Sequence, residues 1–83
     1  MSPFSLSTPA TYRITIQGRL SRSWSECFGN MTIGYHLAAD GSRLSVLTGR
    51  LTDQAALFGV LNGLYGLGLP LISVECLDSG PAA

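Results

Sequence analysis

The stretch LTDQAALFGVLNGLYGLGLPLISVECL (residues 51–77) contains a helix, its stop signal and a strand. Thr52 is placed to cap the helix, and Asp53 suits the positive end of the helix dipole. The spacing predicts a helix from Asp53 to about Gly66, ended by Gly66 or Gly68 and barred from continuing by Pro70. Leu71 to Leu77 then reads as a strand, with Ile72, Val74 and Cys76 on its inner face. At 100° per residue, Leu57, Val60, Leu61 and Leu64 share one arc of the helix, which must pack on a sheet. Phe58 and Tyr65 lie together on a flank. Opposite the core fall Ala55, Ala56, Gly59, Asn62, Gly63 and Gly66, where a surface helix normally carries charge. Gly59 and Gly63 together cost on the order of 2 kcal/mol of helix stability relative to alanine. Glycines four apart let two backbones approach closely. The bare face is therefore expected to be an interface, with Phe58, Gly59, Asn62, Gly63 and Tyr65 in it. The competing explanation is that the glycines relieve crowding inside the fold.

Working back toward the N-terminus, Tyr12, Ile14, Ile16, Gly18 and Leu20 alternate with Arg13, Thr15, Gln17 and Arg19, the period of a strand with one wet face. SRSWSECFGN (21–30) reads as a helix of one or two turns. Ser23 and Glu26 stand at capping-box spacing, and Gly29 is the stop. Trp24 and Phe28 are one turn apart on one face and join the expected interface. Met31, Ile33, Tyr35 and Leu37 alternate as a second strand. Ala39-Asp40-Gly41-Ser42 suits a hairpin turn, and a third strand follows from Arg43 to Leu51. The order β-α-β-β-α-β predicts an α+β fold, the ferredoxin-like sandwich with a four-stranded antiparallel sheet and a short first helix. The alternative is a three-stranded meander followed by helix and strand. Residues 1–10 are expected to form a flexible arm, in which Phe4 and Leu6 could dock on a neighbour. Residues 11–77 form the single domain and 78–83 a flexible tail.

The whole chain has 83 residues, enough for one small core that gains from disulfides, metals or oligomerisation. Cys27 and Cys76 are far apart and only His36 could join them, so no metal site is expected. Both cysteines read as buried small residues in a reducing cell. Five arginines balance five acids, and zero net charge argues against nucleic-acid and membrane-surface partners. Only 12% of residues are charged against 46% apolar, which favours self-association, a dimer by default. The apolar run from Ala55 to Val74 is broken by glycines, Asn62 and Pro70, so no membrane span is expected. No leader is recognised, and the expected location is cytoplasmic.

Catalytic residues are not expected. His36, on the outward face of a strand, and Cys27, on the short helix, lack the partners that would make a base or a nucleophile of them. Thr48-Gly-Arg-Leu-Thr-Asp53 lacks the lysine and spacing of a phosphate-binding loop, so no cofactor is expected. His36, Asp53 and Gln54 are the residues to which a small ligand is assigned, should the protein be a ligand-sensing regulatory domain.

Trp24-x-x-x-Phe28-Gly29-x-Met31-x-Ile33, Leu47-Thr-Gly-x-Leu-x-Asp-Gln-Ala-Ala-Leu-x-Gly-Val-Leu61 and Leu67-Gly-Leu-Pro-Leu-Ile-Ser-Val74 together resemble a family of short, functionally uncharacterised bacterial proteins. The resemblance spans about residues 12–77 and implies a whole domain, with no activity attached. It also implies more polar residues in relatives at Phe58, Gly63, Tyr65 and Gly66, so that the smooth helix face would belong to this protein. The leading expectation is a non-enzymatic module that binds a second copy or a protein partner.

Overall fold

In the computed structural model, which describes residues 8–78, four strands form one antiparallel sheet. They are β1 (Ala10–Gln17), β2 (Thr32–Leu37), β3 (Arg43–Leu51) and β4 (Leu71–Cys76), in the order β2-β3-β1-β4. A 3-10 helix (Arg22–Phe28) connects β1 to β2, and α1 (Gln54–Gly66) connects β3 to β4. The class is α+β, as the patterning predicts. Because β3 and β4 flank β1, the first two strands are not neighbours, and this order excludes the meander. Only one of the two expected helices is α-helical. The stretch 22–28 has two serines but no alanine or leucine, and it winds into the tighter form.

Alternation builds the core. Ala10, Tyr12, Ile14 and Ile16 of β1 are buried, as are Leu47 and Leu51 of β3 opposite them. Leu57, Val60 and Leu64 of α1 close the layer, while Leu61 is only partly buried. Ile14 is fully buried, and its truncation to alanine would cost about 2–5 kcal/mol. One polar side chain lies in this layer. The Ser45 hydroxyl donates to the Gly18 carbonyl at 2.7 Å and accepts from the Leu20 amide at 2.8 Å. It thereby fastens the loop that leaves β1.

Several boundaries differ from expectation, each for a local reason. β1 ends at Gln17, because Gly18 takes a left-handed φ of +106° and turns the chain away. Leu20 is buried, but from a loop. The 3-10 helix is capped by Ser21, whose hydroxyl accepts from the Ser23 amide, and not by a box from Ser23 to Glu26. α1 is capped by Asp53, not Thr52: the carboxylate accepts from the Ala56 amide at 2.8 Å. The helix ends where Gly68, at φ +75°, lets its own amide reach the Tyr65 carbonyl and that of Leu69 the Leu64 carbonyl. In the β2–β3 turn, Asp40 accepts from the hydroxyl and amide of Ser42, and these bonds hold its carboxyl below the usual range. Ala10, expected in the arm of residues 1–10, is already paired with Leu51 in β1, and residues 1–7, Phe4 and Leu6 included, lie outside the described residues. Residues 79–83 of the expected tail do so too.

Candidate interaction surface

α1 lies over β3 and beside the 3-10 helix, which leaves β4 thinly covered. Every residue of β4 except Ser73 is exposed. A register shift between Thr15 and Ile16 pairs Ile16 with Leu71 and leaves Ile72 over. As a result Leu71, with Val74 and Cys76, takes the helix side, and Ile72 turns to the open face of the sheet beside Gln17 and Leu44. The sequence places Ile72 inside; the bulge moves it out.

On the helix side, Leu61, Leu64 and Tyr65 of α1 face Leu69, Pro70 and Leu71 across a groove of about 200 Å³. Tyr65 is 84% exposed, Phe58 57% and Leu71 53%. Phe58 lies on the same flank as Tyr65, two turns earlier. Val74, on the same side of the sheet, is also exposed. α1 itself contains no charged residue.

The bare arc of α1 divides in two. Gly63 lies against the Phe28 ring: an added Cβ would overlap Cε1 and come within 3.3 Å of Cδ1. Phe28 is buried, and Trp24 stacks on it with centroids 6.0 Å apart and an exposure of 40%. Phe28 and Gly63, expected at an interface, thus belong to the packing between the two helices. The reason is geometric: the 3-10 helix lies beside α1 rather than beneath it, and the crossing requires a residue without a side chain. Ala56, one face with Gly63, is likewise packed against the core. Gly59 has nothing within 4 Å of an added Cβ, and Asn62 is exposed.

The hydrogen-bond pattern defines the free side of β4. The Leu77 amide donates to the Thr11 carbonyl at 2.8 Å. With Arg13 opposite Glu75 and Thr15 opposite Ser73, alternation directs the amides of Val74 and Cys76 away from β1, toward the open edge. The sole charge in the strand is Glu75. It holds Arg13 on the other face of the sheet with two bonds of 3.0 and 3.1 Å, and this hydrogen bonding, then the charge of Arg13, keeps its carboxyl below the usual range.

The expected ligand residues are not gathered. His36 sits on β2 near the start of β3, whereas Asp53 and Gln54 follow its end. A nine-residue strand separates them, roughly 27 Å at about 3.4 Å per residue. Asp53 is occupied as a helix cap. Cys27 and Cys76 are free and exposed, not buried as their type suggests. Both lie on elements covered from one side only. Among the described residues no group of three or more histidine, cysteine or acidic side chains is placed to hold a metal, and no helix is long and apolar enough to cross a membrane.

Residues 11–75 match the model of a family described as a domain of unknown function (DUF8691), and the chain belongs to that family. No curated protein and no solved structure matches it.

Proposed function

We propose that this protein is a non-catalytic module that works by binding a second copy of itself through the β4 edge and the adjoining flank of α1. The observation that carries this reading is the uncovered side of β4. A six-residue edge strand has outward-pointing amides, apolar neighbours on the helix side and one charge that is already paired. An unguarded edge of this kind invites pairing with another strand. Antiparallel pairing of β4 with β4 of a second copy is two-fold symmetric, so it closes after two chains. It would join two four-stranded sheets into one and bring the flanks bearing Phe58 and Tyr65 together over the seam. Zero net charge leaves no long-range repulsion to oppose the encounter.

Two finer readings accompany this one. The fold is a variant of the ferredoxin-like sandwich in which the first helix is reduced to 3-10 form. The location is a reducing, cytoplasmic one, a reading supported by two exposed free thiols.

Light scattering across a dilution series tests the proposal. A dimer at tens of micromolar that dissociates on dilution is expected. A constant single-chain mass at those concentrations would leave the face to a different occupant and end the self-association reading.

A further inference from the structure

The second edge of the sheet carries a different feature. Arg19, in the loop after β1, and Arg22, at the start of the 3-10 helix, both lie over the Tyr35 ring, at 4.4 and 4.7 Å from its centroid. Arg43, which opposes Leu37 across the β2–β3 ladder, completes the wall of a cavity of about 320 Å³ with Arg19, Tyr35 and His36. Leu37, on the same side of the sheet as Tyr35 and 64% exposed, gives the cavity an apolar wall. This volume lies at the lower end of the range for small-molecule sites, roughly 300–1,000 Å³.

Three observations distinguish this cavity from an ordinary basic surface. First, its cations are unpaired. Of the five arginines, Arg13 is matched by Glu75 and Arg50 by Asp78 at the far side of the sheet. Among the described residues, Arg19, Arg22 and Arg43 have no carboxylate within 4.0 Å. Asp40 and Asp53 are engaged by backbone and hydroxyl groups elsewhere. Second, cation–π attraction holds the Arg19 and Arg22 guanidinium groups against the Tyr35 ring, which supplies them no countercharge. Third, the site is built in advance. The Tyr35 hydroxyl donates to the Leu20 carbonyl at 2.6 Å, Arg22 Nε donates to the Ile33 carbonyl at 3.0 Å, and Ser45 fixes the loop that carries Arg19. A preorganised site loses less entropy on binding.

We propose that this cavity binds a small organic oxyanion, a carboxylate or phosphate monoester carried on an apolar body. Arg19 and Arg43 grip the oxygens with guanidinium N–H groups that have no other acceptor among the described residues, and the body covers Leu37. Arg22, held by Ile33, supplies charge from its place against the same ring. The site is independent of the β4 edge, so it stands or falls separately from the self-association reading.

NMR titration of the full-length chain tests it, with benzoate and phenyl phosphate as probes, inorganic phosphate as the anion without a body and benzyl alcohol as the body without charge. Both aryl anions are expected to shift the amides of His36, Leu37 and Leu44 saturably, and the tighter of the two identifies the oxyanion. Inorganic phosphate should bind about tenfold more weakly, and benzyl alcohol without saturation. Arg19→Gln and Arg43→Gln, both at exposed positions, should each weaken phenyl phosphate by about tenfold, the usual worth of a charge-assisted bond, while Arg13→Gln leaves it unchanged. The proposal is overturned if no probe saturates in the millimolar range, if benzyl alcohol binds as well as benzoate, or if Arg13→Gln weakens binding as much as Arg43→Gln does.

Discussion

At the β2 edge of the sheet, Arg19, Arg22 and Arg43 surround Tyr35; at the β4 edge the sole charge is Glu75, and Arg13 neutralises it. The first edge is guarded in the way soluble sheets usually are, by charge beside the open backbone. The second has no such protection, and the apolar flank of α1 runs alongside it. A sheet with two bare edges would polymerise, and one with two guarded edges would stay single. Under the proposed pairing, β4 meets β4 while β2 of one copy repels β2 of another, and the result is a closed pair. Charge asymmetry in a chain of zero net charge is therefore the property from which both surfaces follow.

The largest expected effect comes from guarding the bare edge. Leu71→Arg combined with Val74→Arg places two cations where the second copy would pack. The dimer should weaken by about a thousandfold in Kd, roughly 4 kcal/mol, with the fold intact as judged by circular dichroism. Retention of the dimer by this variant would mean that the copies meet elsewhere. Next in size is the support of the guarded edge. Ser45→Ala strands the buried Leu20 amide and Gly18 carbonyl, and urea titration should show a loss of about 2–3 kcal/mol. Smaller still, and of opposite sign, are the two helix glycines. Gly63→Ala drives a methyl into the Phe28 ring and should destabilise by about 1–3 kcal/mol. Gly59→Ala meets open space and should stabilise the unpaired chain by about 1 kcal/mol. Equal melting temperatures for the two variants would contradict this division of the helix.

The smallest effect concerns the Arg13–Glu75 pair, which is exposed. The Glu75 carboxyl is held below its ordinary value of 4.5 in the folded chain, so its contribution is complete above that value and disappears as pH falls through the lower folded value. Glu75→Gln should lower the urea midpoint slightly at neutral pH and leave it unchanged in strong acid. A deficit that persisted in acid would point to packing, not charge.

Much of the fold was legible in the sequence, because period-2 alternation in β1 and β2 and the Leu57, Val60 and Leu64 arc report burial directly. The helix end at Gly68 was legible too, since few other residues take a positive φ there without strain. Other features left no local trace. The bulge that turns Ile72 outward depends on how β4 registers against β1. Gly63 looked like Gly59, and only the position of Phe28, from a separate element, tells them apart. The arginine cavity draws residues 19 and 43 from a loop and a hairpin strand, with Arg22 of the short helix against the same Tyr35 ring, and no spacing rule connects them. The one available signal was distribution: Arg13 and Arg50 lie at strand positions that reach Glu75 and Asp78, whereas Arg19 and Arg22 lie outside the strands and Arg43 at the opposite end of β3 from Arg50.

Amide hydrogen exchange in β4, read residue by residue at dimer-forming concentration, is the most direct measure of whether the bare edge is covered. The amides of Ser73 and Glu75 point to β1 and are protected in either case. Protection of Val74 and Cys76 to a similar degree, declining on dilution, is the expected result. Free-peptide exchange at Val74 and Cys76 beside protected neighbours would contradict it.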